Sequence, residues 1–183
     1  MGMFMTLGAV NAPADDVQKA LQAATTEVDG FGGGGAMERG PDRTLIFFAE
    51  DEFKAAEACA AISSSLSCSA FYIHVHDGDL WMYEFFVSGA KRDQFNTTPD
   101  YWQEVSDDER HSWQGNADVV AANWPGVEPP DIARYLVHRA EDELDSDEKA
   151  YEDDEFPYWD FWQFTDFFGK LGVSYPDDDE LEA

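Results

Sequence analysis

His74 and His76 stand two residues apart in "SAFYIHVH", a run whose apolar and β-branched residues predict a strand. Alternate residues of a strand share a face, so both imidazoles project the same way. Two neutral imidazoles on one face supply half of a tetrahedral site for zinc or another transition metal, if further ligands arrive from elsewhere in the chain. A metal-dependent hydrolase using His74 and His76 is therefore one reading of the sequence. The longer His-x-His-x-Asp-His phrase of metallo-β-lactamase-like hydrolases is absent, since "HVHDGD" lacks the last histidine and has its aspartates out of place. The competing reading is an ordinary hydrogen-bonded pair on a strand face.

The other chemistry-bearing residues announce less. "FGGGG" at 31–35 could wrap a phosphate with backbone N–H groups, but no Gly-Lys-Ser/Thr end follows it and no strand leads directly into it. It reads as a flexible loop. Cys59 and Cys68 are the only cysteines, and neither has a neighbouring base to lower its pKa, so both read as structural thiols in a reducing compartment. No Gly-x-Ser-x-Gly elbow is present. Carboxylates are too numerous for any one pair to signal a glycosidase. Nothing points to a cofactor.

One segment joins charge to rings. From Glu141 to Glu155, ten of fifteen residues are acidic and Lys149 is the only base. No central glycine makes this an EF-hand loop, and mutual repulsion predicts a frayed loop around 145–156. The following "FPYWDFWQFTDFFGKLG" is aromatic. Helical spacing over 158–171 places Phe161, Phe164, Phe167, Phe168 and Leu171 on one buried face, with Gly172 as the left-handed cap. Trp159 and Trp162 fall on another side. Tryptophan beside carboxylate is the composition of a protein interface, so Glu152, Asp153, Asp154, Glu155, Trp159 and Trp162 form the expected partner-binding set. The tryptophans could equally lie under the chain's own loops. "DQFNTTPDYW" at 93–102 reads as a corner between sheet and helices, with Tyr101 and Trp102 plugging the core; a ligand-lining loop is the alternative.

These residues need a scaffold. "MFMTLGAV" at 3–10 predicts a first strand, and "NAPADD" opens a helix carrying Val17, Leu21, Ala24 and Val28 at helical spacing. Residues 29–42 are glycine-rich and read as loop. A short apolar strand at 44–48 and an alanine-rich helix at 50–66 follow. Asp77-Gly78 and Ser88-Gly89 are hairpin signals between β-rich runs and predict a meander over 69–95. Short helices are expected at 103–114 and 117–124. A longer one is expected at 128–145, with Ile132, Tyr135, Leu136 and Ala140 on one face. The fold class is thus α+β: a mixed or antiparallel sheet of four to five strands, packed by helices, with a helical C-terminal half. The chain reads as a single domain over 1–183. Residues 1–95 form the sheet with two helices, 96–176 are helical, and 177–183 are an acidic tail.

Composition sets the partner class. Thirty-nine acids against eleven bases give a formal charge of −28. Such a field repels nucleic acid and anionic membrane and attracts cations and basic proteins. The excess is uneven: residues 101–183 hold 24 of the acids and five of the bases. The N-terminus has no basic residue ahead of an apolar run, so it does not resemble a signal peptide, and no apolar stretch is long enough to span a bilayer. The expectation is a cytoplasmic, non-enzymatic acidic protein that binds a basic partner, possible forms being an inhibitor or immunity-type protein. An acidic domain from a salt-adapted organism, where carboxylates keep the whole proteome solvated, is the remaining alternative. Oligomeric state is not legible.

Overall fold

The structure, a computed structural model, describes residues 3–48, 54–139 and 147–181. Its centre is one antiparallel sheet of six strands in the order β2-β3-β1-β4-β5-β6. These are β1 (Met5–Val10), β2 (Gly34–Gly40), β3 (Arg43–Phe48), β4 (Ser69–His76), β5 (Leu80–Val87) and β6 (Ala90–Asn96). The predicted meander is present, and both of its turns are tight. Asp77 and Gly78 adopt φ 55° and 74°, and Ser88 and Gly89 adopt 49° and 83°. Two successive positive φ values match the right-handed twist of the flanking strands.

Two helices cover one face of the sheet. In α1 (Ala14–Glu27), Asp15 and Asp16 occupy the first turn, where the helix dipole favours acids. Its Val17, Leu21 and Ala24 are buried. The alanine-rich α2 (Ala55–Leu66) buries Ala58, Cys59 and Ile62 and ends at Ser67 in the left-handed conformation. Small residues let both helices approach the sheet around Val10, Ile46 and Ala70. The expected start of the second helix, at 50–53, lies outside the described residues.

The C-terminal half covers the other face, and here the structure differs from expectation. It is a series of short helices joined by turns and extended chain: α3 (Asp107–Ser112), α4 (Ala117–Asn123), α5 (Pro129–Ile132) continued by a 3-10 turn (Ala133–Tyr135), α6 (Gln163–Lys170) and α7 (Asp178–Leu181). The expected helix over 128–145 stops at Tyr135. Beyond it the backbone is tied to the sheet side of the molecule: Gln114 Nε2 donates to the Leu136 carbonyl at 2.7 Å, and the Arg139 N–H donates to the Thr97 carbonyl. Ala140 lies outside the described residues. The last long helix begins at Gln163 rather than 158, because Trp159 adopts φ 71° and breaks the helical path. It ends as expected, with Gly172 at φ 72° and the Val173 N–H returning to the Phe168 carbonyl.

The larger core lies between this layer and the sheet. Phe71, Trp81, Tyr83, Phe85 and Phe95 from the strands meet Trp124, Tyr135, Phe164, Phe167 and Phe168. An isolated eight-residue helix is marginal in water. Burying each phenylalanine contributes about 1.5–3 kcal/mol, so Phe164, Phe167 and Phe168 anchor α6 through tertiary packing rather than through its own helical propensity.

The sixth strand is also a correction. β2 was expected as loop, and it pairs with β3 from Gly34↔Phe48 to Gly40↔Arg43. Its side chains are exposed or half-buried, so no alternating apolar signal marks it. Gly34 lies so close to the neighbouring strand that a Cβ would fall 2.5 Å from the Phe47 carbonyl oxygen.

Candidate functional site

The acidic-aromatic segment is held to the body of the protein by some of its own carboxylates. Asp154 is buried, with 5% of its surface exposed. Its Oδ1 accepts the Tyr135 hydroxyl at 2.5 Å, and its Oδ2 accepts the Tyr151 N–H at 2.9 Å. Lys149 Nζ donates to the Asp154 carbonyl at 2.7 Å. Asp166 works from the helix side, accepting the N–H groups of Glu155 and Phe156 at 3.0 and 2.8 Å. Burial raises the Asp166 pKa, while those two N–H groups oppose the shift. Tyr151 and Tyr158 close the loop by donating to the Pro130 and Arg134 carbonyls.

The six residues of the expected partner-binding set therefore divide. Glu152, Asp153 and Glu155 are exposed. Asp153 pairs with Lys170 at 2.8 Å, and that hydrogen bond lowers its pKa. Asp154 points inward, and both of its carboxylate oxygens are engaged. Trp162 is half-buried among Phe156, Phe161, Phe164 and Tyr175. Trp159 is half-buried against Tyr158, with ring centroids 5.5 Å apart. The residues of the run at 141–146 lie outside the described residues.

Several cations are turned inward. Arg43 donates to the carbonyls of Leu171, Pro125 and Asp42 and lies over the Trp124 ring. Arg39 forks onto Glu180 and reaches Ser174. Lys170, on α6, pairs with Asp153 of the acidic loop, and the exposed Lys149 donates back to the loop's own Asp154 carbonyl. Arg39, Arg43 and Lys170 stitch the C-terminal layer together, while Glu152 and Glu155 face solvent and Asp153, also exposed, is the partner of Lys170.

His74 and His76 do share a face, at the end of β4. His74 Nε2 and His76 Nδ1 are 3.4 Å apart, and Thr6 Oγ1 is 3.4 Å from His74 Nδ1. Burial first, and the neighbouring His76 second, lower the His74 pKa, which favours neutral imidazole. Among the described residues, no group of three or more His, Cys, Asp or Glu side chains is placed to hold a metal ion. Burial raises the Cys59 thiol far above its usual value and pushes Cys68 up to about 11, so neither is a ready thiolate.

His76 has a setting that the spacing of histidines did not reveal. Its ring lies edge-on to Phe4, Tyr101 and Trp102, at centroid distances of 4.9, 5.6 and 5.1 Å. Trp102 is 56% exposed, so it does not plug the core, and Phe4 is equally exposed. The Tyr101 hydroxyl donates to Asp79 at 2.9 Å. The available signal was the phrase "NTTPDYW" itself, a turn-rich loop ending in two adjacent rings.

No protein-family model, curated protein or solved structure matches this chain. Among the described residues, no helix is long and apolar enough to cross a membrane.

Proposed function

We propose that this chain is a non-enzymatic, strongly acidic protein that binds a basic partner protein. A concrete form is an inhibitor or immunity-type protein that covers a cationic surface, presenting carboxylates where phosphates would otherwise lie. The observation that carries this reading is a pair of exposed carboxylates, Glu152 and Glu155, on a loop that the fold holds in place. Arg39 and Arg43 are engaged within the fold and Lys170 pairs with Asp153, while Glu152 and Glu155 are exposed, with no cation paired to either among the described residues, on a loop that internal hydrogen bonds hold in shape. A shaped loop loses less conformational freedom on binding than a free acidic tail would. Exposed charge of this kind acts mainly on the encounter rate, and electrostatic steering can raise association from about 10⁵–10⁶ to 10⁸ M⁻¹s⁻¹ or more.

The test is affinity capture on the immobilised full chain, purification of a retained basic protein, and stopped-flow association of the purified pair. Glu152→Ser/Glu155→Ser should slow association several-fold and leave dissociation nearly unchanged. Equal association rates for variant and wild type would remove the loop from the binding surface.

A second reading has one observation in its favour. Two imidazole nitrogens 3.4 Å apart are close enough to share one metal ion. Stoichiometric zinc or manganese in protein purified without a histidine tag, lost on His74→Ala/His76→Ala, would support a metal-dependent hydrolase. A metal-free chain that takes up none would end that reading.

A further inference from the structure

Four large apolar side chains are conspicuously exposed among the described residues, and three of them gather at one place. Met3, Phe4 and Trp102 are 38%, 56% and 56% exposed. The Met3 carbonyl accepts the Gly78 N–H at 3.0 Å, which fixes Met3 against the β4–β5 turn. Phe4 and Trp102 both pack edge-on against His76 there, at centroid distances of 4.9 and 5.1 Å. Trp159 and Trp162, by contrast, are both half-buried. Exposed rings that cluster beside a tight turn are a docking feature, unlike singly scattered apolar residues.

The same turn supplies charge. Asp77 and Asp79 are exposed on either side of Gly78 in that turn, and the Asp79 carboxylate reaches the rings by accepting the Tyr101 hydroxyl at 2.9 Å. Two cations lie close by, and each has its own acceptor. Arg139 donates to the Asp79 backbone carbonyl, and Arg110 to the Asp100 carboxylate at 2.7 Å. Among the described residues, no lysine or arginine pairs with the Asp77 or Asp79 carboxylates. A flat exposed indole beside two carboxylates matches the chemistry of a guanidinium, which stacks on a ring face and offers planar paired donors. Ammonium is more strongly hydrated and lacks that planar fork.

We infer that the patch formed by Phe4, Tyr101 and Trp102 with Asp77 and Asp79 is the anchor for an arginine-bearing segment of the basic partner. Trp102 stacks on the guanidinium, and the two aspartates accept its N–H groups. This rests on the basic-partner reading and moves its centre from the 152–162 loop to the β4–β5 turn. The loop then steers the encounter, and the patch sets the residence time.

The experiment uses the full chain, an octa-arginine peptide and an octa-lysine control. Binding is measured by calorimetry at low and moderate salt, and the Trp102 indole N–H resonance is followed by NMR. The indole resonance should move on adding octa-arginine, and octa-lysine should bind more weakly. Phe4→Ala/Trp102→Ala should weaken octa-arginine binding about tenfold or more, as truncation of an anchor does. Trp102→Phe keeps a ring and should retain most of the affinity, which separates lost stacking from a damaged fold. If octa-arginine binds in a salt-dependent way and Phe4→Ala/Trp102→Ala binds it equally well, the anchor is elsewhere while the basic-partner reading stands. If wild type binds neither peptide at low salt, both fall.

Discussion

Asp154 illustrates how little a carboxylate's neighbours in sequence say about its task. It sits between Asp153 and Glu155, which are both exposed, yet it accepts the Tyr135 hydroxyl and the Tyr151 N–H inside the protein. Acidic composition made residues 152–155 legible as a charged surface, and three of the four do face solvent. Composition could not tell which one turns inward, because that depends on Tyr135, nineteen residues away. Trp102 was missed for the opposite reason: rings are buried by default, and only tertiary placement reveals the exception. At this scale the prediction concerns the buried pair. Tyr135→Phe removes a donor from a buried carboxylate and should cost about 2 kcal/mol in urea unfolding. Its partner affinity, measured where both proteins are folded, should be unchanged. A cost near zero would mean that Asp154 does not depend on this hydrogen bond.

Among the elements, those with a repeating pattern or strict turn chemistry were legible. The meander followed from Asp77-Gly78 and Ser88-Gly89, where φ is positive at both positions. The first helix followed from apolar spacing behind Pro13. β2 was not legible, because "GGAMERG" buries no alternate face and is defined by its backbone pairing with β3. The long helix expected after Glu128 failed because Gln114 and Thr97 capture the backbone at 136–139, a competition between distant segments that helical spacing cannot report. The close approach of Gly34 to β3 makes the missed strand testable. Gly34→Ala forces a methyl group against the Phe47 carbonyl and should cost about 1–3 kcal/mol, as overpacking does. Hydrogen exchange should show β2 and β3 amides losing protection, while the β4–β6 meander stays protected. Unchanged exchange in β2 would mean that the edge strand can shift to accept the methyl.

Across the whole molecule, the formal charge of −28 is the dominant property. Like charges on a compact body repel, and salt screens them over about 10 Å at 0.1 M. Thermal stability should therefore rise when sodium chloride is raised from low to molar concentration, as followed by circular dichroism. A melting temperature that falls with salt would mean that the internal ion pairs outweigh the surface repulsion. Screening has the reverse effect on association with a basic protein, because there the same field is attractive. The most direct measurement is the dissociation constant of the purified complex across a series of salt concentrations at neutral pH. Affinity should fall steeply as salt rises, with association slowing more than dissociation accelerates. An affinity independent of salt would contradict the basic-partner reading.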